Sequence, residues 1–505
     1  MPPKQQPQCP HDKILYTPSP HATQVNYNQP SKQERQDATK PAPSSSSSKR
    51  KPLVAAPPTR TDIQNFPAPL VLPGDELALD PEYPAQSFQE WLDEEERNPV
   101  TPRRKTIYFL DAPGVDSRFS EVESWTRPNL HDLDSDSDSD LHSHSASDAA
   151  VAVEPPATKD VTDYLAAFFN GLPVKHLNMP KRRWTFTPWV GDDDDDDDND
   201  DDTPPTKKPK RGKQTPTLTL KHIALATPKE QIRIRTRTGP DGLYSRQLNL
   251  DDLLDVAIAI LPKDAYALCM LVNHDLYEDD EDSFVCGRAY GGSRVAVVST
   301  ARYNPALDAV QGVERGHAWP GAHCGGFVDE ACSNRMKQKG RKKGSKGGKE
   351  STVPTATASA NREGPLEDAM DVLRQSQSHS LRLAGDGEAQ WQSALWLWRV
   401  IRTTSHELCH CLGIDHCVYY ACIMQGSASL SEDTRQPPYL CPVDLAKVLC
   451  ATGSGLDERD RALLGYCEGQ ERRGFVYLRA FAAWLRASLG SANGVEGNQI
   501  VVIDD

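Results

Sequence analysis

The sequence predicts a mixed α/β (α+β) fold: a twisted mixed sheet, one long central helix and a helical C-terminal subdomain, interrupted by long disordered segments. Three observations predict it. Strand-like and helix-like apolar patterns alternate from about residue 217 onward. Two amphipathic stretches, near Leu456–Glu468 and Phe475–Ser488, close the chain. Finally, the 505 residues are only 37% hydrophobic and 7% aromatic, with 40 prolines and a mean hydropathy of −0.62. Such a chain must dilute its globular part with segments too polar to bury the apolar surface that ordering requires.

Taken in order, residues 1–60 are rich in Pro, Ser and Gln and read as a disordered tail. Residues 61–130 form an N-terminal segment, with Phe88–Leu92 as a short helix and Thr106–Leu110 as a strand. The alternating acids of Asp134–Asp140 mark 131–160 as an acidic linker. Residues 161–190 read as a small ordered island, with Tyr164, Leu165, Phe168 and Phe169 at helical spacing. The polyaspartate run and the basic Lys207–Lys213 make 191–216 a second linker. An upper α/β subdomain spans 217–332. In it Ile232 and Ile234 alternate as a half-buried strand, and Asn249 caps a helix whose Leu250, Leu253, Leu254, Ala257 and Ile258 line one face and that Pro262 ends. Tyr266–Val272 and Arg294–Thr300 read as buried strands, the second entered through Gly291 and Gly292. Residues 333–390 look like a disordered insertion, 391–490 hold the central helix and the C-terminal helices, and 491–505 are a tail.

The net charge of −15 excludes a basic nucleic-acid-binding domain, and ten of the acids lie in Asp192–Asp198 and Asp200–Asp202, so the folded part is nearer neutral. No run of 18 or so apolar residues exists, so no membrane span is expected. The N-terminus lacks an apolar h-region, so secretion is not expected either. Twelve cysteines in such a chain point to thiols or metal ligands rather than a disulfide framework. The expected compartment is the cytoplasm, with Lys207–Lys213 reading either as a nuclear localisation segment or as a counterweight to the adjacent acids.

The chemistry concentrates at His406, Glu407, His410, Gly413 and His416. On a helix His406 and His410 stand one turn and about 40° apart, so both imidazoles face one point, where their nitrogens can meet a zinc at about 2.0–2.1 Å. Glu407, rotated by about 100°, falls beside that point, where a carboxylate can serve as general base toward a water. A continuing helix would carry His416 about 9 Å beyond His410 along the axis. Gly413 stands where a left-handed C-cap lets the chain turn back, and only then do three histidines converge.

This stretch, with Cys417 after the third histidine and Met424 eight residues on, resembles the archaemetzincins, a metzincin-related family of zinc-dependent peptidases. Their pattern runs His-Glu-x-x-His-x-x-Gly-x-x-His-Cys, then Cys-x-Met, then Cys-x-x-Cys. The long insertions and polar tail are similar to those of fungal-type members. The resemblance implies a metzincin-like zinc peptidase domain, a catalytic zinc held by His406, His410 and His416, Glu407 as general base, and Met424 as the Met-turn floor under the histidines. It also implies a second, structural zinc held by Cys417, Cys422 and Cys441. Asp444 stands where the family has its fourth cysteine, so the fourth ligand is Asp444 or Cys450, or the second zinc is absent. The implied partner is a peptide or protein substrate, cleaved with endopeptidase or aminopeptidase-like preference, and Arg294–Thr300 is the implied edge strand that receives it.

Blander readings stand beside these. Cys409, Cys411, Trp391, Trp396 and Trp398 read as core packing, and His274 as a solvated loop residue. Two rival functions remain: a zinc-binding interaction protein without turnover, and a scaffold acting through its acidic and basic segments.

Overall fold

A computed structural model describes residues 9–41, 65–130, 153–189, 220–342, 364–378, 386–470 and 475–492. The runs Asp134–Asp140, Asp192–Asp198 and Lys207–Lys213 lie outside them, as does residue 491 onward except for the last turn of the final helix. In chain order the strands are β1 (Thr106–Leu110), β2 (Gly114–Val115), β3 (Val174–His176), β4 (Thr185–Pro188), β5 (His222–Ala226), β6 (Gln231–Thr238), β7 (Arg246–Asn249), β8 (Ala265–Val272), β9 (Asp275–Tyr277), β10 (Gly287–Tyr290) and β11 (Val295–Ser299). The helices are α1 (Pro20–Gln24), α2 (Lys32–Asp37), α3 (Glu76–Leu79), α4 (Phe88–Asp93), α5 (Ser120–Ser124), α6 (Thr158–Phe168), α7 (Leu250–Ile260), α8 (Gly325–Lys342), α9 (Pro365–Ser378), α10 (Asp386–Cys411), α11 (Leu430–Arg435), α12 (Pro442–Thr452), α13 (Leu456–Gln470) and α14 (Val476–Ala492).

Two sheets form. The first runs β10-β11-β8-β1-β3 and the second β2-β4-β5-β6-β7-β9. In the first, β8 is flanked in parallel by β1 and β11, with Phe109 opposite Cys269 and Ala296 opposite Cys269 on the other side. A parallel strand in mid-sheet is covered on both faces, and the side chains of β8 divide accordingly. Ala267, Cys269 and Leu271 enter the core under α10, while Leu268, Met270 and Val272 enter the core under α7. Asn249 caps α7 by accepting from the Asp252 amide, and the helix stops at Ile260, ahead of Pro262; its buried face takes Val256 with the expected leucines and Ala257, while Ile258, expected on that face, is exposed. The third element of the layer, α10, brings the histidines to the sheet. Trp396 donates Nε1–H to the Thr300 carbonyl at 2.8 Å, and Arg399 grips Asp308 with two nitrogens at 2.7 and 2.8 Å. The tryptophans Trp396 and Trp398, with Cys409 and Cys411, are buried in this core.

Four expectations differ from this arrangement. Residues 9–41, inside the stretch read as a tail, carry α1 and α2, bury His11, Ile14, Leu15 and Tyr27, and reach the other end of the chain. Residues 161–190 are not an island: β3 joins the first sheet and β4 the second. Within 333–390, α9 buries Leu366, Met370 and Leu373, one face at helical spacing that seats it on α14. Lastly, β11 is internal rather than an edge. β10 pairs antiparallel outside it and forms the edge, because the Gly291 to Arg294 turn folds the preceding residues back along β11. Among the described residues no helix is long and apolar enough to cross a membrane.

Candidate metal centre

The last two turns of α10 carry His406 and His410, and Gly413 follows with φ +78°, the left-handed conformation that reverses the chain. A side chain at Gly413 would also press on Arg97, whose Cγ lies 2.9 Å from where a Cβ would stand. After the reversal His416 faces the helix again. The three rings are mutually close, with centroids 4.7, 5.1 and 5.3 Å apart. One nitrogen from each lies within 4.8 Å of the others, and the Nε2 atoms of His406 and His410 are 3.0 Å apart.

What holds the rings is on their other side. Nδ1 of His406 is 2.7 Å from the Ile423 carbonyl, and Nδ1 of His410 is 2.7 Å from the Ile414 carbonyl. Nδ1 of His416 is 2.9 Å from Oε1 of Glu76. With Nδ1–H donating to each of these oxygens, Nε2 is the nitrogen left with a lone pair, the form a metal takes. Burial pushes the imidazole of His410 down to about 3 and that of His406 well below its usual range, so both are neutral donors. At His416 burial acts in the same direction, but the Glu76 carboxylate outweighs it and raises the imidazole. Three neutral or readily deprotonated imidazoles converging without a fourth protein donor among the described residues fit zinc in an open site.

Glu407 is 8% exposed, and burial raises its carboxyl to about 7, a range suited to taking and returning a proton near neutrality. It lines two adjoining cavities of about 750 and 670 Å³ that meet at His406, Glu407 and His416 beside β10. A side chain at Gly287 of β10 would contact Cγ of Glu407 at 3.5 Å, so the edge strand packs beside the Glu407 side chain. Met424 is fully buried, and its carbonyl accepts from the Cys417 amide at 2.7 Å, which closes the turn beneath the histidines.

A second donor group lies behind that turn. Cys417, Cys422, Cys441 and Asp444 are all buried, with their ligand atoms within 4.8 Å of one another. Oδ2 of Asp444 is 3.3 Å from Sγ of Cys441 and 3.4 Å from Sγ of Cys422, and the sulfurs of Cys417 and Cys441 are 3.6 Å apart. The other oxygen, Oδ1, is taken by the buried Lys447 ammonium at 2.9 Å. Cys450, the other candidate fourth ligand, is half-buried and outside the group.

Sequence reasoning missed Glu76, which lies 340 positions from its histidine and carries no local signal. It sits in the first turn of α3 beside Gly426, where any side chain would overlap the carboxylate, since a Cβ would fall 2.1 Å from Oε1. His274 is corrected too. It is buried, not solvated, packs edge-on against Phe186, and its Nε2 is 3.0 Å from the Val122 carbonyl. The neighbouring Asp275 pairs with the buried Arg302, so this corner is structural.

Comparison with known proteins gives a consistent picture. Residues 379–448 match Peptidase family M54. Archaemetzincin-2 of Macaca fascicularis is 25% identical over 46% of this chain and 49% of its own length. Archaemetzincin-1 of Rattus norvegicus is 29% identical over 46% of this chain and 36% of its own. The chain thus spans about half, or less, of the length of these curated relatives. Among solved structures, the archaemetzincin of Methanopyrus kandleri aligns over 69% of this chain and 96% of its own, at 14% identity and a TM-score of 0.26. Around the helix that carries His406 and His410, this chain is therefore similar to Peptidase family M54 and to the archaemetzincins.

Proposed function

We propose that this chain is a zinc-dependent metallopeptidase that hydrolyses peptide bonds in peptide or protein substrates. His406, His410 and His416 hold a catalytic zinc, and Cys417, Cys422, Cys441 and Asp444 hold a structural one. The observation that carries the reading is the set of three imidazoles whose Nδ1 atoms are each tied to an oxygen, so that three Nε2 atoms converge. When bound, zinc supplies Lewis acidity that polarises a carbonyl and brings the pKa of water toward neutrality.

The chain's own residues supply the rest. Glu407 takes a proton from the attacking water on its carboxylate and delivers it to the nitrogen of the departing amine. Its raised carboxyl suits both halves of that transfer. The backbone of β10, the edge strand, offers unpaired groups to an extended substrate lying in the cleft, and Gly287 keeps that strand free of bulk beside Glu407. The cleft continues on both sides of Glu407, toward Arg302 and Arg402 one way and Arg97 and Arg288 the other, which leaves room for substrate on either side of the scissile bond.

Glu407→Gln tests the reading. Gln has nearly the same shape and cannot accept the proton, so hydrolysis should fall about 100-fold or more with zinc content unchanged. Near-normal turnover in the zinc-loaded variant would overturn the mechanism. Absence of turnover in the wild type would favour an inactive zinc-binding interaction protein. Peptides with free and blocked N-termini, compared in the same assay, separate an aminopeptidase-like preference from an endopeptidase.

A further inference from the structure

Outside the residues that line the cleft, the N-terminal segment meets the stretch between β11 and α8. Two backbone hydrogen bonds join them, Leu15 amide to His323 carbonyl at 2.8 Å and Gly325 amide to Lys13 carbonyl at 2.9 Å, and Ile14 bridges Cys324 as a single antiparallel pair. Arg374 of α9 donates to the His11 carbonyl from Nε and Nη2 at 2.9 and 2.6 Å. This places Cys9 and His11 opposite His317 and Cys324. Cys9 Sγ and one nitrogen each from His11 and His317 lie within 4.8 Å of one another; Cys324 stands outside that trio, with its Sγ 3.1 Å from Sγ of Cys9.

The histidines are oriented as metal ligands are. Nδ1 of His317 is 2.9 Å from Oε2 of Glu314, which also accepts from the His317 amide, and the ring stacks on Phe327 with centroids 4.1 Å apart. The opposite nitrogen, Nε2, is buried, faces Cys9 and makes no hydrogen bond of ordinary geometry. Nε2 of His11 is 2.9 Å from the Gly316 carbonyl, which turns Nδ1 toward the group, and His11 itself holds φ +49°, uncommon for a residue with a side chain. A carboxylate behind one ring and a carbonyl behind the other are the outer partners that fix ligating imidazoles. A disulfide between Cys9 and Cys324 would use neither ring and leave Nε2 of His317 without a bond.

We propose that Cys9, His11 and His317, with Cys324 as the fourth donor, form a further zinc site, structural and separate from the two described above. Two thiolates and two imidazoles select zinc over the hard divalent cations, and four protein donors make a closed site. Its effect is to fasten residues 9–41 to the fold. That segment in turn backs the turn under the histidines, because Tyr27 donates its hydroxyl to the Val418 carbonyl and Gln29 its amide to the Tyr419 carbonyl, both at 2.7 Å.

Elemental analysis of the full chain, after equilibration with zinc and removal of loose metal, tests this. Cys9→Ser combined with His317→Gln should lower zinc by one equivalent per chain, additively with any loss caused by Cys417→Ser. Unchanged zinc in the folded double variant overturns the site. The wild type gives a second reading that needs no variant, namely N-ethylmaleimide labelling of the half-buried Cys9 mapped by mass spectrometry. Zinc ligation should slow that labelling about tenfold relative to the metal-depleted chain. Rapid labelling of Cys9 in the zinc-replete protein, or a Cys9–Cys324 cross-linked peptide under non-reducing conditions, overturns it as well.

Discussion

Removing the carboxylate behind His416 probes how the first zinc would be held. In Glu76→Ala the 2.9 Å contact to Nδ1 is lost, while the Glu76 amide keeps its bond to Oε2 of Glu432, so α3 stays in place. Outer partners of ligating histidines are worth about 10–100-fold in metal affinity, or about 1.4–2.7 kcal/mol. Both side chains are somewhat over a quarter exposed, so water can enter and donate or accept in place of the carboxylate. The lower part of that range therefore applies, about 10–30-fold. Glu76→Gln should recover most of it, because its carbonyl oxygen still accepts from Nδ1–H. The assay is a zinc titration of the chelator-stripped chain, followed by hydrolysis of a quenched peptide. Half-saturation at the same free zinc in wild type and Glu76→Ala would refute the assignment of Glu76 as a positioning residue. So would Gln behaving no better than Ala.

Further outcomes are expected. Cys417→Ser should lower zinc by one equivalent and loosen the Met424 turn, read by elemental analysis and thermal unfolding. Asp444→Ala should destabilise the chain by about 3–5 kcal/mol in denaturant titration, since it leaves the Lys447 ammonium buried without its carboxylate. Gly413→Ala should cost about 1–2 kcal/mol from the left-handed backbone alone, plus displacement of Arg97, and should weaken zinc binding through His416. Acid should destabilise through His274 and His323, which burial lowers to about 4. Their folded values lie below the unfolded one, so the unfolded chain binds the extra protons. Stability is therefore full above about pH 6.5 and lost as pH falls toward 4, by at most about 3 kcal/mol per histidine. The slope of stability against pH should be shallower in His274→Gln, and an unchanged slope would count against that residue.

The convergence of the three histidines was legible because it is local: they and the helix-breaking glycine fall within eleven consecutive positions, and helical geometry does the rest. The strands β1, β8 and β11 were legible from apolar runs, and α7 from its cap. What escaped depends on distant chain. Nothing around Glu76 advertises a partner at His416, and the polar α1 and α2 become ordered by docking on the body rather than by propensity. Helix α9 was hidden because its apolar face holds few residues amid small and polar neighbours, and its stability comes from α14. That β10 rather than β11 is the edge was hidden for a simpler reason. β10, Gly287–Tyr290, is four residues long and carries no apolar run, so only its pairing identifies it as a strand.

The order β10-β11-β8-β1-β3 also has a consequence during synthesis. Roughly 155 residues separate Leu110, the end of β1, from Ala265, the start of the strand that flanks it. At about 5–20 residues per second the ribosome needs on the order of 8–30 s to cover that distance. For that interval Ile107, Phe109 and the open edge of β1 have no β8 to pair with, although both side chains end up fully buried. Pairing across such a separation is also entropically slow once both strands exist. Yield in cells should therefore respond to chaperone supply and to growth temperature more steeply than the stability of the finished fold would suggest.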